Sequence, residues 1–587
     1  MIRYLVELDD PHSHHFRVTL TVPRPAADQV VSLPVWIAGS YMVREFGRHL
    51  SALEARQGAH ELPLEQLDKT TWRVRCSGRA ALVLRYRVYA FDNSVRTAFL
   101  DGRRGFFNNT SLCMRVHGRE DVRHRLQLGH LPAGWQVATA MRSVAGGPAH
   151  TFEAADYAEL VDHPVELGLL WRGSFVAGGV PHEFVVAGAL PGFDGRRLLA
   201  DTRRICEQQI NFWHGDDGSA PPFDRYLFLL NAVEDGYGGL EHRASTALIA
   251  ARRDLPRERV DAASDGYVTL LGLISHEYFH SWNVKRLRPA DLATPDWSRE
   301  NYTQLLWFFE GLTSYYDELT LRRCGLVDAP RYLRLLAKTL NAVAATPGRQ
   351  VQSVAEASFD AWVKYYRSDE NTANATVSYY LKGALVALCL DLSLRQRGGS
   401  LDAVMRRLWQ GSGAGAAGEP DAGAITEADI AAALAAVAGR PMTDELREWV
   451  HGTDELPVAE LLAAFGVQAR PERATLAASL GLRLSEGPVS GVQVKSVLAG
   501  SAAAAAGLSA GDELLAVDGW RIRRLDDALA WVPRDQPFEL LLVRDQRVMT
   551  LRLVPQPGTP LASTVSLHLL SKPTRAVARR RRDWLHD

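Results

Sequence analysis

The chain is poor in the features that several function classes require. Five cysteines, Cys76, Cys113, Cys206, Cys324 and Cys389, are scattered over 587 residues. Their number is odd and no two form a Cys-x-x-Cys pair, which argues against a disulfide framework and against a cysteine-built zinc site. The formal net charge is −1, so no strong field points to nucleic acid or to an anionic membrane as a partner. No apolar run reaches the length of a membrane span. The opening residues 1–10 lack a basic start followed by an unbroken apolar run, which stops at Glu7; with no signal peptide, the expected location is the cytoplasm. No Gly-x-Ser-x-Gly occurs, which leaves a serine hydrolase a weak rival. What remains is the balance of a soluble globular protein, 47% hydrophobic and 23% charged, in a chain long enough for three or four domains.

Residues up to about 170 read as β. Phe16–Val22, Trp72–Arg75 and Ala81–Val88 alternate apolar and polar, as half-buried strands do, with Pro, Gly and Asn between such runs. His12, His14 and His15 crowd one strand start, which is read as a polar strand edge rather than a metal site. The character then changes. Tyr226–Leu230 is a short apolar strand, followed by Gly236-Tyr237-Gly238-Gly239-Leu240-Glu241-His242. Helical patterns run from about Ala262 to Trp282, Tyr302 to Arg323 and Tyr379 to Arg395. The low-complexity stretch Gly411–Gly418 reads as a flexible loop. Thr426 and Asp429 then have capping-box spacing at the start of an alanine-rich helix. From about Ala474 the chain turns β again. The expected architecture is a multidomain α+β protein: an N-terminal β domain over 1–170, a catalytic domain over 171–395, a helical domain over 396–470, a β domain over 474–556 and a basic tail over 557–587. The run Arg579–Arg582 in that tail reads as a solvated basic patch.

The chemistry concentrates at Ser275-His276-Glu277-Tyr278-Phe279-His280-Ser281-Trp282. On a helix, His276 and His280 fall on one face, one turn apart. Neutral imidazole is a good zinc ligand, and Glu277 projects beside the metal as a base. The apolar Val268–Ile274 gives this helix a buried flank. A third protein ligand would leave a fourth position for water. Glu310, in Leu306-Trp307-Phe308-Phe309-Glu310-Gly311-Leu312, is the favoured candidate, because a carboxylate in so apolar a helix is costly unless paired or metal-bound. Glu300 sits in a polar segment where exposure costs nothing.

His-Glu-x-x-His followed by Glu-Gly on the next helix resembles the gluzincin metallopeptidases, which implies a thermolysin-like catalytic domain. His276–Pro289, Trp307–Tyr316, Pro34–Met42 and the C-terminal β domain together resemble the glycyl aminopeptidase family, metallopeptidase family sixty-one. The interval to the glutamate ligand used in the larger related aminopeptidase family lands on Arg299, which cannot ligate; the longer interval to Glu310 fits the glycyl family. The C-terminal segment, with Ala506-Gly507-Leu508, Gly511-Asp512 and Asp518-Gly519 in order, resembles a PDZ domain, which binds a peptide by strand addition. Gly238-Gly239-Leu240-Glu241-His242 is similar to the Gly-Ala-Met-Glu-Asn element of gluzincin aminopeptidases, which implies that Gly238 and Gly239 let a substrate strand approach and that Glu241 holds the free α-ammonium. Leu and His stand here where that element has Met and Asn. Tyr380-Leu381-Lys382-Gly383 matches a Tyr-x-Lys-Gly element whose tyrosine donates to the oxyanion; Tyr379 is its rival.

The resemblance thus implies one zinc ion per chain on His276, His280 and Glu310, Glu277 as general base, Tyr380 as oxyanion donor, and release of N-terminal Gly or Ala from peptides with a free N-terminus. A PDZ-regulated zinc endopeptidase and a PDZ scaffold with a vestigial metal site are the alternatives. The expected partners are peptide substrates and a peptide ligand of the PDZ domain, with no nucleic acid and no membrane.

Overall fold

The computed structural model describes residues 1–215, 218–414, 422–487, 489–556, 561 and 563–586. Its contacts divide the chain into two compact units, Met1–Asn301 with Ser412–Ala424, and Tyr302–Gly411 with Ile425–Asp587.

The first unit opens with a β domain. Ile2–Asp10 lies at the middle of an eight-stranded sheet, antiparallel to His15–Val22 and parallel to His124–Leu128. Alternation accounts for the packing: Phe16, Val18, Leu20 and Val22 all point inward and are fully buried, while the residues between them face out. Tyr4, Tyr86 and Tyr157 bring their hydroxyls into this core and donate them to the carbonyls of Met114, Leu112 and Cys113, so none of these three hydroxyls is left unmet. The three histidines at the strand start hold no metal cluster among the described residues; the His14 ring bonds the Leu100 carbonyl instead.

A five-stranded sheet follows, in the order Leu170–Ala177, Val180–Ala187, Tyr226–Val233, Ser245–Ala251, Tyr237–Glu241. The three central strands run parallel and Tyr237–Glu241 closes one edge antiparallel. Tyr226–Val233 is buried along its whole length, as a central parallel strand should be. Two helices pack here, Gly195–His214 and Asp265–Phe279. The second is shorter than its apolar pattern suggests, because the Ser264 side chain accepts from Tyr267 N–H and sets the start. Gln209 on the first helix donates to the carbonyl and hydroxyl oxygens of Ser275 on the second, at 2.8 and 2.9 Å.

The second unit is helical and then β. The stretch expected as one helix from Tyr302 begins only at Leu306, and Trp307–Gly311 is a π turn before the α-helix Leu312–Arg323. Helices Ala329–Ala344, Leu381–Gln396 and Leu401–Gly411 follow. Residues 415–418 of the expected loop lie outside the described residues. The capping box at Thr426 and Asp429 is formed, with both reciprocal bonds present. The PDZ sheet runs Leu482–Gly487, Gly491–Val497, Glu513–Val517, Phe538–Arg544, Arg547–Leu553 around a core that includes Val492, Leu514 and Leu540.

The segment read as a basic tail is structured. Ser563–Leu569 pairs antiparallel with Val467–Arg473, so the strands before and after the PDZ domain close its neck. Arg575–Leu585 is a helix that buries Trp584 and Leu585 completely. Trp584 Nε1 donates to the Tyr315 hydroxyl at 3.0 Å, and Arg395 donates to the Asp583 carbonyl at 2.6 Å. Four arginines in a row obscured the two apolar residues that anchor this helix. Among the described residues, no helix is long and apolar enough to cross a membrane.

Candidate functional site

Helix Asp265–Phe279 carries His276 and Glu277 on its last turn, with His280 as its C-cap. The rings of the two histidines stand edge to face, with centroids 4.6 Å apart and Nε2 atoms 3.0 Å apart. His280 Nδ1 lies 2.8 Å from the Asn283 carbonyl. A carbonyl only accepts, so Nδ1 carries the proton and Nε2 presents a lone pair. This is the outer support that metal-ligating histidines use to fix their tautomer. Asn283 has no signal of its own in the sequence, because it acts through its backbone oxygen. His276 and His280 belong to the first unit and Glu310 to the second. These side chains are 9%, 2% and 2% exposed. Two neutral imidazoles and a carboxylate form a donor set suited to a catalytic zinc, leaving a fourth position open.

Glu277, 5% exposed, projects toward the edge strand Tyr237–Glu241. A Cβ on Gly239 would meet Glu277 Oε1 at 2.1 Å and Cδ at 2.3 Å. Gly239 is therefore glycine because the carboxylate occupies the space a side chain would need. Among the described residues the strand has a sheet partner on one side only, Ser245–Ala251. Gly238 lies on the same strand, and Arg96 donates to the Gly239 carbonyl at 3.3 Å.

Glu241 ends the strand, 4% exposed. Among the described residues its Oε1 has no hydrogen-bond partner. Its seat is formed by a residue that sequence reasoning did not single out. Gly39 has φ +91°, and a Cβ there would lie 2.4 Å from both carboxylate oxygens. The Pro34–Met42 segment is thus held against Glu241, and the Trp36 indole donates to the Asp296 carbonyl at 2.8 Å to keep it there. A cavity of about 160 Å³ adjoins, lined by Glu241, Gly39, Trp36, Tyr41 and Trp297. Its floor holds Asp162, paired with Lys285 at 2.8 Å. Burial would push this carboxyl up, but the Lys285 ammonium and His242 outweigh that and hold it well below the usual carboxylate range.

In the second unit, the π turn Trp307–Gly311 carries Glu310, and Tyr380 is the N-cap of helix Leu381–Gln396. A single extra residue per turn, often found at functional sites, aims Glu310 where a regular helix would not. The two elements cross at a pair of glycines. A Cβ on Gly311 would come within 2.6 Å of Gly383 Cα, and one on Gly383 within 3.0 Å of Gly311 Cα. The Glu-Gly and Lys-Gly elements are thus one contact seen from its two sides. Tyr379 is fully buried and Tyr380 only half-buried, with its hydroxyl 3.3 Å from that of Tyr366. Desolvation and then the Glu310 charge push the Tyr380 hydroxyl well above the ordinary tyrosine value, so it stays protonated and able to donate.

The Peptidase M61 N-terminal domain matches residues 3–169, the M61 glycyl aminopeptidase domain residues 269–386, and the PDZ domain residues 472–530. An aminopeptidase N family protein from Idiomarina loihiensis, solved by crystallography, is 35% identical with a TM-score of 0.92, and the match covers 100% of both chains. The chain belongs to the M61 glycyl aminopeptidase family. Membership makes it a peptidase with the family's N-terminal β domain and a C-terminal PDZ domain. An M1 zinc metallopeptidase from Deinococcus radiodurans, a glutamate-to-alanine mutant bound to a Tyr-Ser-Ala substrate, is 14% identical with a TM-score of 0.47, covering 78% of this chain and 94% of its own. No curated protein matches the sequence.

Proposed function

We propose that this M61 chain is a zinc aminopeptidase that removes small N-terminal residues, Gly or Ala, from peptides. The observation that carries the exopeptidase part is Glu241, a buried carboxylate with one oxygen lacking a hydrogen-bond partner among the described residues, at the end of an open strand edge. Such an oxygen is costly unless a donor arrives with the ligand. A free α-ammonium is that donor, and the charge makes the pair strong. The site then counts one residue from the N-terminus.

His276, His280 and Glu310 would hold the zinc. When bound, it would lower the pKa of a coordinated water and polarise the scissile carbonyl. Glu277 accepts the proton of the attacking water and delivers it to the leaving amine. Tyr380, kept protonated, donates to the oxyanion as charge develops there. Tyr379, wholly enclosed, is the weaker candidate for that role. Gly238 and Gly239 leave the strand edge bare, so that the substrate backbone can pair with it. The preference for Gly or Ala and a cytoplasmic location follow from the family likeness and the sequence reading.

The test compares free and N-acetylated peptides on the wild type and on Glu241→Ala, with elemental analysis of the protein purified without added metal. We expect about one zinc per chain, much slower cleavage of the blocked peptide by the wild type, and loss of most of that difference in Glu241→Ala. Equal kcat/KM for free and blocked peptides would make the enzyme an endopeptidase. Absence of zinc, with no gain of activity on adding it, would remove the metal.

A further inference from the structure

Behind the first turn of helix Leu381–Gln396 lies a cavity of about 210 Å³. Its walls are mostly aliphatic, with Leu340, Val343, Leu385, Leu462 and Leu567 among them. Its polar groups are nearly all engaged by the protein itself. The Asn341 side chain exchanges two hydrogen bonds with the Val565 backbone, at 2.8 and 2.7 Å. The Arg349 guanidinium pairs with Glu455 at 2.9 Å.

Lys382 is the exception. It is 2% exposed and lines the cavity. Its ammonium donates to the Arg349 carbonyl at 3.3 Å, and among the described residues it makes no ion pair. An ammonium has three donors, so two are left over. The position is unfavourable for a cation in a second way, since the first turn of a helix is the positive end of its dipole. Desolvation pulls the Lys382 pKa down, against the opposing pull of Glu455. Glu455 and Asp454 lie near enough to favour its charge and Arg349 near enough to oppose it, but among the described residues no carboxylate pairs directly with this buried ammonium where it faces the apolar cavity.

We infer that this cavity is a binding site for a short aliphatic carboxylate, with the carboxylate on Lys382 and the tail between Leu340, Val343 and Leu385. The charge selects an anion and the walls select a hydrocarbon tail. At about 30 Å³ per water-sized group, the volume takes about seven non-hydrogen atoms, the size of a five- or six-carbon acid. Such a ligand has two sources: a free short-chain acid, or an aliphatic amino acid of the kind that peptide hydrolysis releases. The inference does not depend on the zinc aminopeptidase reading, because binding is measured directly.

The experiment is calorimetric titration of the full chain with hexanoate, leucine and hexylamine. Hexanoate should bind one to one. Lys382→Met should weaken it by at least about tenfold, as expected for loss of a charge-assisted hydrogen bond. Because Lys382→Met removes a buried group and could disturb folding, Ala344→Trp serves as a second variant. Ala344 lines the cavity yet is exposed, so it stands at the mouth, and a large side chain there should block entry without altering the core. Leucine binding comparably to hexanoate identifies the amino acid as the natural source; hexanoate binding alone identifies the free acid. No hexanoate binding by the wild type, wild-type affinity in both variants, or hexylamine binding as tightly as hexanoate would overturn the inference.

Discussion

Replacing Gly239 with alanine should inactivate the enzyme while leaving it folded. The added Cβ would stand 2.1 Å from Glu277 Oε1, 2.3 Å from Cδ and 2.5 Å from Cγ. Ordinary contact begins near 3.4 Å, so the carboxyl group must retreat by about 1 Å. The neighbour that has to move is the end of a flexible side chain rather than backbone, and alanine is readily accommodated in a strand. Stability should therefore fall by no more than about 1 kcal/mol. Catalysis has no such tolerance. A general base works only within hydrogen-bond reach of the proton it takes, and a misplacement of about 1 Å costs on the order of a hundredfold, equivalent to about 2.7 kcal/mol in the barrier. The assay is kcat and KM on a glycyl peptide, alongside a thermal melt of the same preparation. The expected outcome is kcat down by about a hundredfold, little change in KM, and a melting temperature within a few degrees of wild type. Wild-type kcat in Gly239→Ala would mean that the position of Glu277 does not matter to the chemistry, and would refute its role as the base. A collapse of the melt would instead show that Glu277 could not move.

Gly39→Ala places a Cβ 2.4 Å from both Glu241 oxygens at a residue with φ +91°; it should mainly raise KM for free peptides and narrow their advantage over acetylated ones, and an unchanged free-to-blocked ratio in kcat/KM would count against it. Tyr380→Phe should lower kcat more than it raises KM, whereas Tyr379→Phe should leave the ratio near wild type; the reverse pattern would exchange their roles. Gly383→Ala drives a Cβ to 2.9 Å from the Trp307 carbonyl and 3.0 Å from Gly311 Cα, where backbone must yield, so it should destabilise by about 1–3 kcal/mol, and a neutral effect in urea unfolding would contradict the tight crossing. Trp584→Ala removes a fully buried indole and should cost about 3–5 kcal/mol; a loss under about 1 kcal/mol would show that the C-terminal helix is only loosely held.

What was legible in the sequence was what local geometry dictates. Two histidines four apart on an apolar helix specify a face, and Asp518-Gly519 specifies the tight turn between Val517 and Trp520, because both signals act within a few residues. The Thr426 capping box was readable for the same reason. The π turn at Glu310 was not, since an apolar run such as Leu306–Leu312 looks alike whether the backbone takes four or five residues to close a bond. The C-terminal strand and helix were lost under a conspicuous charge run, although Trp584 and Leu585 carried the signal. Asn283 was invisible in principle, because any residue supplies a carbonyl.

The glycines show how these limits bear on function. Read locally, Gly39, Gly239, Gly311 and Gly383 suggest bends. In the structure Gly39 and Gly239 each mark a place where a carboxylate lies against bare backbone, Glu241 on the first and Glu277 on the second, and Gly311 and Gly383 mark one place where two backbones touch. Each absent side chain fixes the position of a residue to which the reading assigns chemistry: the amine-binding carboxylate, the base, and the crossing that sets Glu310 against the Tyr380 helix. The site is therefore specified as much by the side chains it cannot carry as by those it does. A survey limited to histidines, glutamates and tyrosines finds the reacting groups without finding what holds them, and a single methyl group at any of these four positions perturbs the proposed chemistry without touching a catalytic side chain.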